Sequence, residues 1–294
     1  MTEAALSKRL RTICLALLWA GCLTGCVRHL FPEPGVFDVR REMVQLPDSR
    51  LKVTYVTPVA PKPPPLLILF VTGDAGWQGV SKPVFKHMAK RGYYIAAYNS
   101  RQALKITKQS GENLTLVEGT VDLTSIIDQA RRTLGLPDKT LTVLTGVSRG
   151  ASMVVFGAAN KKMQPVLAGA VAVGLTREAD YLGAPGRSVH LPGIERDAKR
   201  QILLYPAIHR VGSLPIAVIE STGDKYVPAA EARQLFGPDT PTRRLYSVEA
   251  SNHGFRGGRD ELMLDLDEAL AWIASAPATR ATSDTRRDLP AAPK

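Results

Sequence analysis

The run Leu141-Thr142-Val143-Leu144-Thr145 leads directly into Gly146-Val147-Ser148-Arg149-Gly150, and the small apolar stretch Ala151 to Ala159 follows. No other stretch limits the fold as strongly. An unbroken apolar, β-branched run reads as a strand buried on both faces, which belongs to parallel sheets covered by helices. Glycines on both sides of Ser148 permit a sharp turn from strand into helix, where crowded backbone leaves no room for side chains. A serine at that turn stands clear of the chain with its hydroxyl exposed. The five-residue pattern alone is weak, but a strand before it and a helix after it make it a nucleophile elbow.

An elbow serine requires a base and a group to orient that base. In this arrangement both follow the serine in the chain, each in the loop after a later strand. Leu214 to Glu220 reads as such a strand, and Ser221-Thr222-Gly223-Asp224-Lys225-Tyr226-Val227-Pro228 is the turn leaving it. Asp224 therefore stands in the acid's place. Of the five histidines, His29, His87, His190 and His209 precede Asp224 and only His253 follows it. His253 lies in Ser251-Asn252-His253-Gly254-Phe255, between the strand Leu245 to Val248 and the closing helix. Alone, Asp224 reads as a turn former and His253 as a loop histidine. Together, in this order behind an elbow, they read as a Ser148-His253-Asp224 triad.

The remaining elements follow from periodicity and punctuation. Asp38 to Leu46 and Leu51 to Thr57 read as an antiparallel pair at a sheet edge. Leu66 to Val71 is the strongest strand. Lys82 to Arg91 reads as a helix closed by Gly92, Tyr93 to Tyr98 as a strand, and Leu116 to Leu134 as a helix. Val166 to Val173 is a further strand, and Asp260 to Ala274 an amphipathic helix. Strands alternating with helices after an initial hairpin imply an α/β class, and with the elbow and the triad order the expected fold is an α/β-hydrolase. It would have a mainly parallel sheet, an antiparallel N-terminal edge and helices on both faces.

Thr72-Gly73-Asp74-Ala75-Gly76-Trp77 leaves the strand Leu66 to Val71. Such a loop supplies one backbone N–H to an oxyanion hole, and glycine lets the backbone approach the substrate. Asp74 or Ala75 would carry that donor, the Arg149 N–H would be the second, and Trp77 would touch substrate. The alternative is a Gly-Asp turn capping the next helix. A phosphate-binding loop is disfavoured, because no Gly-Lys-Ser/Thr follows.

Gly73-Asp74-Ala75-Gly76-Trp77, Asn99-Ser100-Arg101 and Gly146-Val147-Ser148-Arg149-Gly150-Ala151 together resemble the AcvB/VirJ virulence-protein family of exported α/β hydrolases. The resemblance runs from about Leu66 to Val173, with His253 fitting the end. Members usually carry Gly-Asp-Gly-Gly-Trp, so Ala75 departs from the pattern, and Arg149 stands where an apolar or aromatic residue is more usual. The resemblance implies an extracytoplasmic serine hydrolase acting near membranes, with aminoacylated phosphatidylglycerol as one substrate class.

The N-terminus reads separately. Lys8, Arg9 and Arg11 precede the apolar segment Ile13 to Leu23, which is short for a membrane span and reads as an export signal. Leu23-Thr24-Gly25-Cys26 resembles a lipobox, with cleavage before Cys26 and lipid on its sulfur. A plain signal peptide or transmembrane anchor is the alternative. Of Cys14, Cys22 and Cys26, none would then remain for disulfides or metal. Val27 rather than aspartate after the cysteine favours the outer membrane, so the expected location is the periplasmic side of the cell envelope.

The expected organisation is a lipoprotein signal at 1–25, a tether at 26–37, a hydrolase domain at 38–275 and a disordered tail at 276–294. Residues 176–212, longer than a minimal crossover, would form a cap over the site or an ordinary surface insertion. Loss of residues 1–25 removes three cations and one anion, taking the net charge from +11 to +9. A basic domain on a membrane is drawn to anionic lipid or polymer surfaces, whereas export and the lack of any nucleic-acid motif disfavour nucleic acid. No metal and no cofactor is expected. The partners are a small-molecule or lipid ester and, through Cys26, the membrane; oligomeric state is left open. The expected activity is cleavage of an ester, such as an aminoacyl-phospholipid or another lipid-linked ester, through an acyl-enzyme. The alternative is a non-catalytic lipoprotein that keeps the fold as a binding scaffold.

Overall fold

A computed structural model describes residues 35–46, 49–63, 65–103, 123–179, 195, 197, 198 and 201–276. The chain begins with the strands β1 (Phe37–Leu46) and β2 (Ser49–Pro58). It continues through β3 (Leu67–Val71), α1 (Ser81–Lys90), β4 (Tyr94–Tyr98), α2 (Leu123–Leu134), β5 (Thr142–Val147), α3 (Arg149–Ala159) and β6 (Leu167–Val173). The short strands β7 (Glu178–Ala179) and β8 (Ile202–Leu203) and the helical turn α4 (Leu204–Ile208) come next. The chain then runs through β9 (Ile216–Ser221), α5 (Ala229–Phe236), β10 (Arg243–Val248) and α6 (Arg259–Ser275).

Eight strands form one sheet in the order β1-β2-β4-β3-β5-β6-β9-β10. β1 and β2 pair antiparallel from Phe37↔Pro58 to Leu46↔Ser49, and β2 also pairs antiparallel with β4. From β4 onward every pairing is parallel. The chain therefore has the α/β-hydrolase fold that its sequence implied, antiparallel edge included. All parallel strands end at one edge, so the loops after β3, β5, β6, β9 and β10 gather there.

Alternation along the central strands divides the core in two. Leu67, Leu69, Val71, Leu144, Ala170, Ala172, Ile216 and Val218 face α2, α3, α4 and α5. Ile68, Phe70, Val143, Val171, Val173, Ala217 and Ile219 face α1 and α6. Both faces of β3 and β5 are buried throughout, which is why those runs carry no polar alternation. The closing helix buries Leu262, Leu266, Ala269, Leu270 and Ile273 at helical spacing.

Some boundaries shift. The helix after the elbow starts at Arg149 rather than Ala151, so Ser148 occupies its N-cap. α5, for which the sequence reading made no assignment, starts behind Pro228 and ends before Gly237 at φ 78°. β7 and β8 pair antiparallel, Glu178 opposite Leu203, so the segment between them leaves and returns at one point. Most of that segment, with Arg187 and His190, lies outside the described residues, as do the signal, Cys26, nearly all of the tether, the stretch 116–122 and the tail from 277.

Candidate active site

Ser148 adopts φ 53° and ψ −117°, a backbone conformation that a non-glycine residue rarely takes. Holding a residue there costs about 1–3 kcal/mol, so the surroundings must enforce it. The Ser148 N–H donates to Val173 O on β6 at 2.8 Å, and its carbonyl accepts from Ser152 N–H at 3.1 Å. Space explains both glycines. A Cβ on Gly146 would lie 2.3 Å from Gly150 O, and a Cβ on Gly150 would lie 2.2 Å from Val71 O and 2.7 Å from Thr72 O. These are backbone atoms that cannot step aside. The serine thereby sits at the N-terminus of α3, where the helix dipole favours negative charge.

Asp224 and His253 come to this serine from the loops after β9 and β10. His253 Nε2 lies 2.9 Å from Ser148 Oγ, and His253 Nδ1 lies 2.5 Å from Asp224 Oδ2. Asp224 is 2% exposed, and its second oxygen accepts the Tyr226 N–H at 2.8 Å. The acid and histidine loops are laced to each other. Ala250 O accepts from the Gly223 N–H at 2.8 Å, from Ser221 Oγ at 3.1 Å and from Thr222 Oγ1 at 3.2 Å. Within the histidine loop, Asn252 Oδ1 accepts the N–H groups of Gly254 at 2.9 Å and Arg256 at 3.2 Å. The Tyr226 ring stands edge-on to the His253 ring, centroids 4.9 Å apart.

The loop after β3 reaches the serine through Gly73. A Cβ on Gly73 would lie 3.4 Å from Ser148 Cβ. Its N–H donates to Ser81 Oγ at 3.0 Å and its carbonyl accepts from Ser100 Oγ at 2.8 Å. Gly76 N–H closes the turn onto Gly73 O at 2.9 Å, leaving Asp74 and Ala75 at its exposed tip. The left-handed residue of the turn is Gly76, at φ 65°, where a Cβ would strike the Asn99 side chain. Ala75 has no positive φ, which is how alanine fits there.

Trp77 is half-buried, its ring 5.1 Å from Phe85 and 6.3 Å from Phe70, so it anchors the loop to the core. Arg149 is half-buried beside the serine. Sequence reading passed over Ser81, Gly174 and Glu220. A signal existed for Glu220, the sole charge in an otherwise uncharged strand. Ser100 entered only as part of a motif, and nothing in the chain marked Ser81. Among the described residues, no cluster of three or more His, Cys, Asp or Glu is arranged to hold a metal ion, and no helix is long and apolar enough to cross a membrane.

No protein-family profile and no curated protein matches the sequence. Solved structures do match. An acylaminoacyl peptidase from Pyrococcus horikoshii is 16% identical with a TM-score of 0.56, over 82% of this chain; the chain spans only 42% of that protein's length. An esterase from Pyrococcus furiosus is 16% identical with a TM-score of 0.57, over 81% of this chain and 93% of the esterase. An esterase domain from Rhodothermus marinus is 15% identical with a TM-score of 0.54, over 80% of this chain and 97% of the domain. These likenesses define the class: the protein is built on the α/β-hydrolase fold.

Proposed function

We propose that the protein is a serine hydrolase that cleaves esters through an acyl-enzyme, held by lipid at a membrane face outside the cytoplasm. One observation carries the chemistry: the continuous line from Ser148 Oγ through His253 to the buried Asp224, at 2.9 and 2.5 Å. His253 Nε2 accepts the Ser148 proton as Oγ attacks the ester carbonyl, and Asp224 keeps the other imidazole nitrogen protonated. The carbonyl π electrons move onto its oxygen, which the Arg149 N–H and a tip N–H of the loop after β3 stabilise. Gly73 is not that donor, because its own N–H is taken by Ser81 Oγ, which leaves Asp74 or Ala75 at the tip.

The oxyanion then reforms the carbonyl and expels the alcohol, which receives the proton held on His253. Water repeats the sequence on the acyl-enzyme and frees Ser148. The similar structures include esterases and a peptidase, all of which fit acyl transfer on this fold, and esters are the substrates to test first. The AcvB/VirJ resemblance supports aminoacylated phospholipid as the first substrate class to test. The Cys26 lipobox supports membrane attachment, since two or more acyl chains anchor a protein stably.

A fluorophosphonate probe should label Ser148, and Ser148→Ala or His253→Ala should abolish both labelling and hydrolysis of p-nitrophenyl acetate. A folded wild-type protein inert to both reagents would overturn the reading and leave the fold as a binding scaffold. Replacing Cys26 with Ser should release the protein from membranes; unchanged sedimentation with membranes refutes the lipid anchor.

A further inference from the structure

Glu220 is the one charged residue of β9, and its side chain is fully buried. Its Oε1 accepts two hydrogen bonds, from the Leu175 N–H at 2.7 Å and from Tyr205 Oη at 3.2 Å, whereas Oε2 has no partner and no contact with solvent. An ionised carboxylate with one dry, unpaired oxygen is very costly in a core. Burial and the charge of Asp224 both push the Glu220 carboxyl well above the usual carboxylate range. Both effects favour the neutral acid, in which Oε1 is the carbonyl oxygen that accepts both bonds.

The position of those two donors matters more than the charge. Leu175 follows Gly174, a left-handed residue at φ 60° whose N–H donates to Ile219 O at 2.8 Å. Consecutive residues of β9 thus hold consecutive residues of the turn after β6. That turn supports the histidine, since a Cβ on Gly174 would lie 3.1 Å from His253 Cε1 and 3.5 Å from Nδ1. Four residues beyond Glu220 the same chain presents Asp224. Tyr205 belongs to α4, immediately after the β7–β8 pair that closes the crossover segment.

We propose that Glu220 is a positioning residue for the Ser148-His253-Asp224 line: one carboxyl oxygen fixes the turn on which the His253 ring rests and ties it, through Tyr205, to the crossover segment. The proposal rests on the serine-hydrolase reading above.

With p-nitrophenyl acetate as the probe, Glu220→Gln keeps a neutral carbonyl acceptor and retains the wild-type kcat and KM. Glu220→Ala removes the acceptor, and kcat falls by about 10²-fold at constant KM, the scale of a small misplacement of reacting groups. Tyr205→Phe removes one bond and lowers kcat by about fivefold, the worth of one neutral hydrogen bond. If the Ala variant does not fold, the Gln and Phe variants decide. A Gln variant as impaired as Ala, or wild-type kcat in Tyr205→Phe, overturns the proposal. A wild-type protein inert to ester and fluorophosphonate instead overturns the hydrolase reading. In that event the downfield proton resonance of His253 Nδ1–H still tests positioning: at the same position in wild type and Glu220→Gln, shifted upfield in Tyr205→Phe. Its persistence unchanged in Tyr205→Phe overturns the proposal.

Discussion

Around Ser148 the backbone is fixed by lack of room, whereas around Asp224 and His253 it is fixed by hydrogen bonds between distant loops. On the serine side, two absent Cβ atoms let β3, β5 and α3 close on one another, and the needed residues are contiguous in the chain. On the acid and histidine side, Ser221, Thr222 and Gly223 converge on the single carbonyl of Ala250, almost thirty residues away. Steric closure tolerates no substitution but is insensitive to polar chemistry. A hydrogen-bonded lattice tolerates shape-conserving changes and fails when a donor or acceptor changes character.

Asp224→Asn should have the largest effect and separate the two kinds of construction. The amide keeps an oxygen for the Tyr226 N–H, so the fold and its thermal midpoint should stay near wild type. Yet His253 Nδ1–H loses its anionic acceptor and the imidazole takes the wrong tautomer, a change that costs about 10⁴-fold in kcat in triads of this kind. An Asn variant with kcat within tenfold of wild type would mean that Asp224 does not orient the base.

Gly150→Ala should do the reverse. Its Cβ would meet the carbonyls of Val71 and Thr72 at 2.2 and 2.7 Å, so β3 or the start of α3 must move. About 3 kcal/mol of stability should be lost, the upper part of the range for overpacking. Urea unfolding measures it, and a variant with an unchanged midpoint would show that the elbow can open without strain.

This division also explains which parts of the molecule were legible in the sequence. Steric necessity writes itself locally: Gly146 and Gly150 flank Ser148 within five residues, and the fully buried β3 and β5 appear as unbroken apolar runs. Asp224 and His253 were legible through chain order and the strands before them, although neither residue type is distinctive. The lattice that holds them was not legible, because Ala250 acts through its carbonyl and Ser81 reaches Gly73 only through folding. The helix α5 was missed because Ala229 to Phe236 follows directly on the turn containing Asp224, and local turn signals masked its eight residues. Trp77 was read as a substrate contact from its place in the loop. Only the packed sheet reveals how much of its ring is already committed to Phe70 and Phe85.

Gly174→Ala probes the border between the two constructions, because Gly174 is a steric glycine lying under the hydrogen-bonded histidine. Its left-handed φ makes alanine unfavourable by about 1 kcal/mol, a stability loss that thermal unfolding would detect. The added methyl, 3.1 Å from Cε1, should also push the ring from Ser148 and lower kcat by about tenfold, a fraction of the loss that a full ångström of misplacement brings. Equal kcat in the two proteins would mean that the ring does not rest on this turn.

The smallest effect is expected far from both halves, on α6, and it tests whether stability and activity separate once the site is left alone. Asp265 lies one helical turn from both Glu261 and Glu268, and its pKa is pushed up to about 6, first by burial and then by those two charges. A carboxyl that holds its proton more tightly in the folded than in the unfolded chain stabilises the protein as pH falls. Its contribution therefore improves from about pH 6 down towards its ordinary value of 3.8, and is least favourable above 6. Asp265→Asn removes the repulsion at neutral pH. The residue is partly exposed, so after solvent screening the gain at pH 7 should be only about 0.5 kcal/mol, shrinking as the pH drops to 4. Thermal midpoints at the two pH values measure it, and kcat should not change. A variant less stable at pH 7 than at pH 4, relative to wild type, would reverse the sign and show that Asp265 is held ionised by a favourable partner.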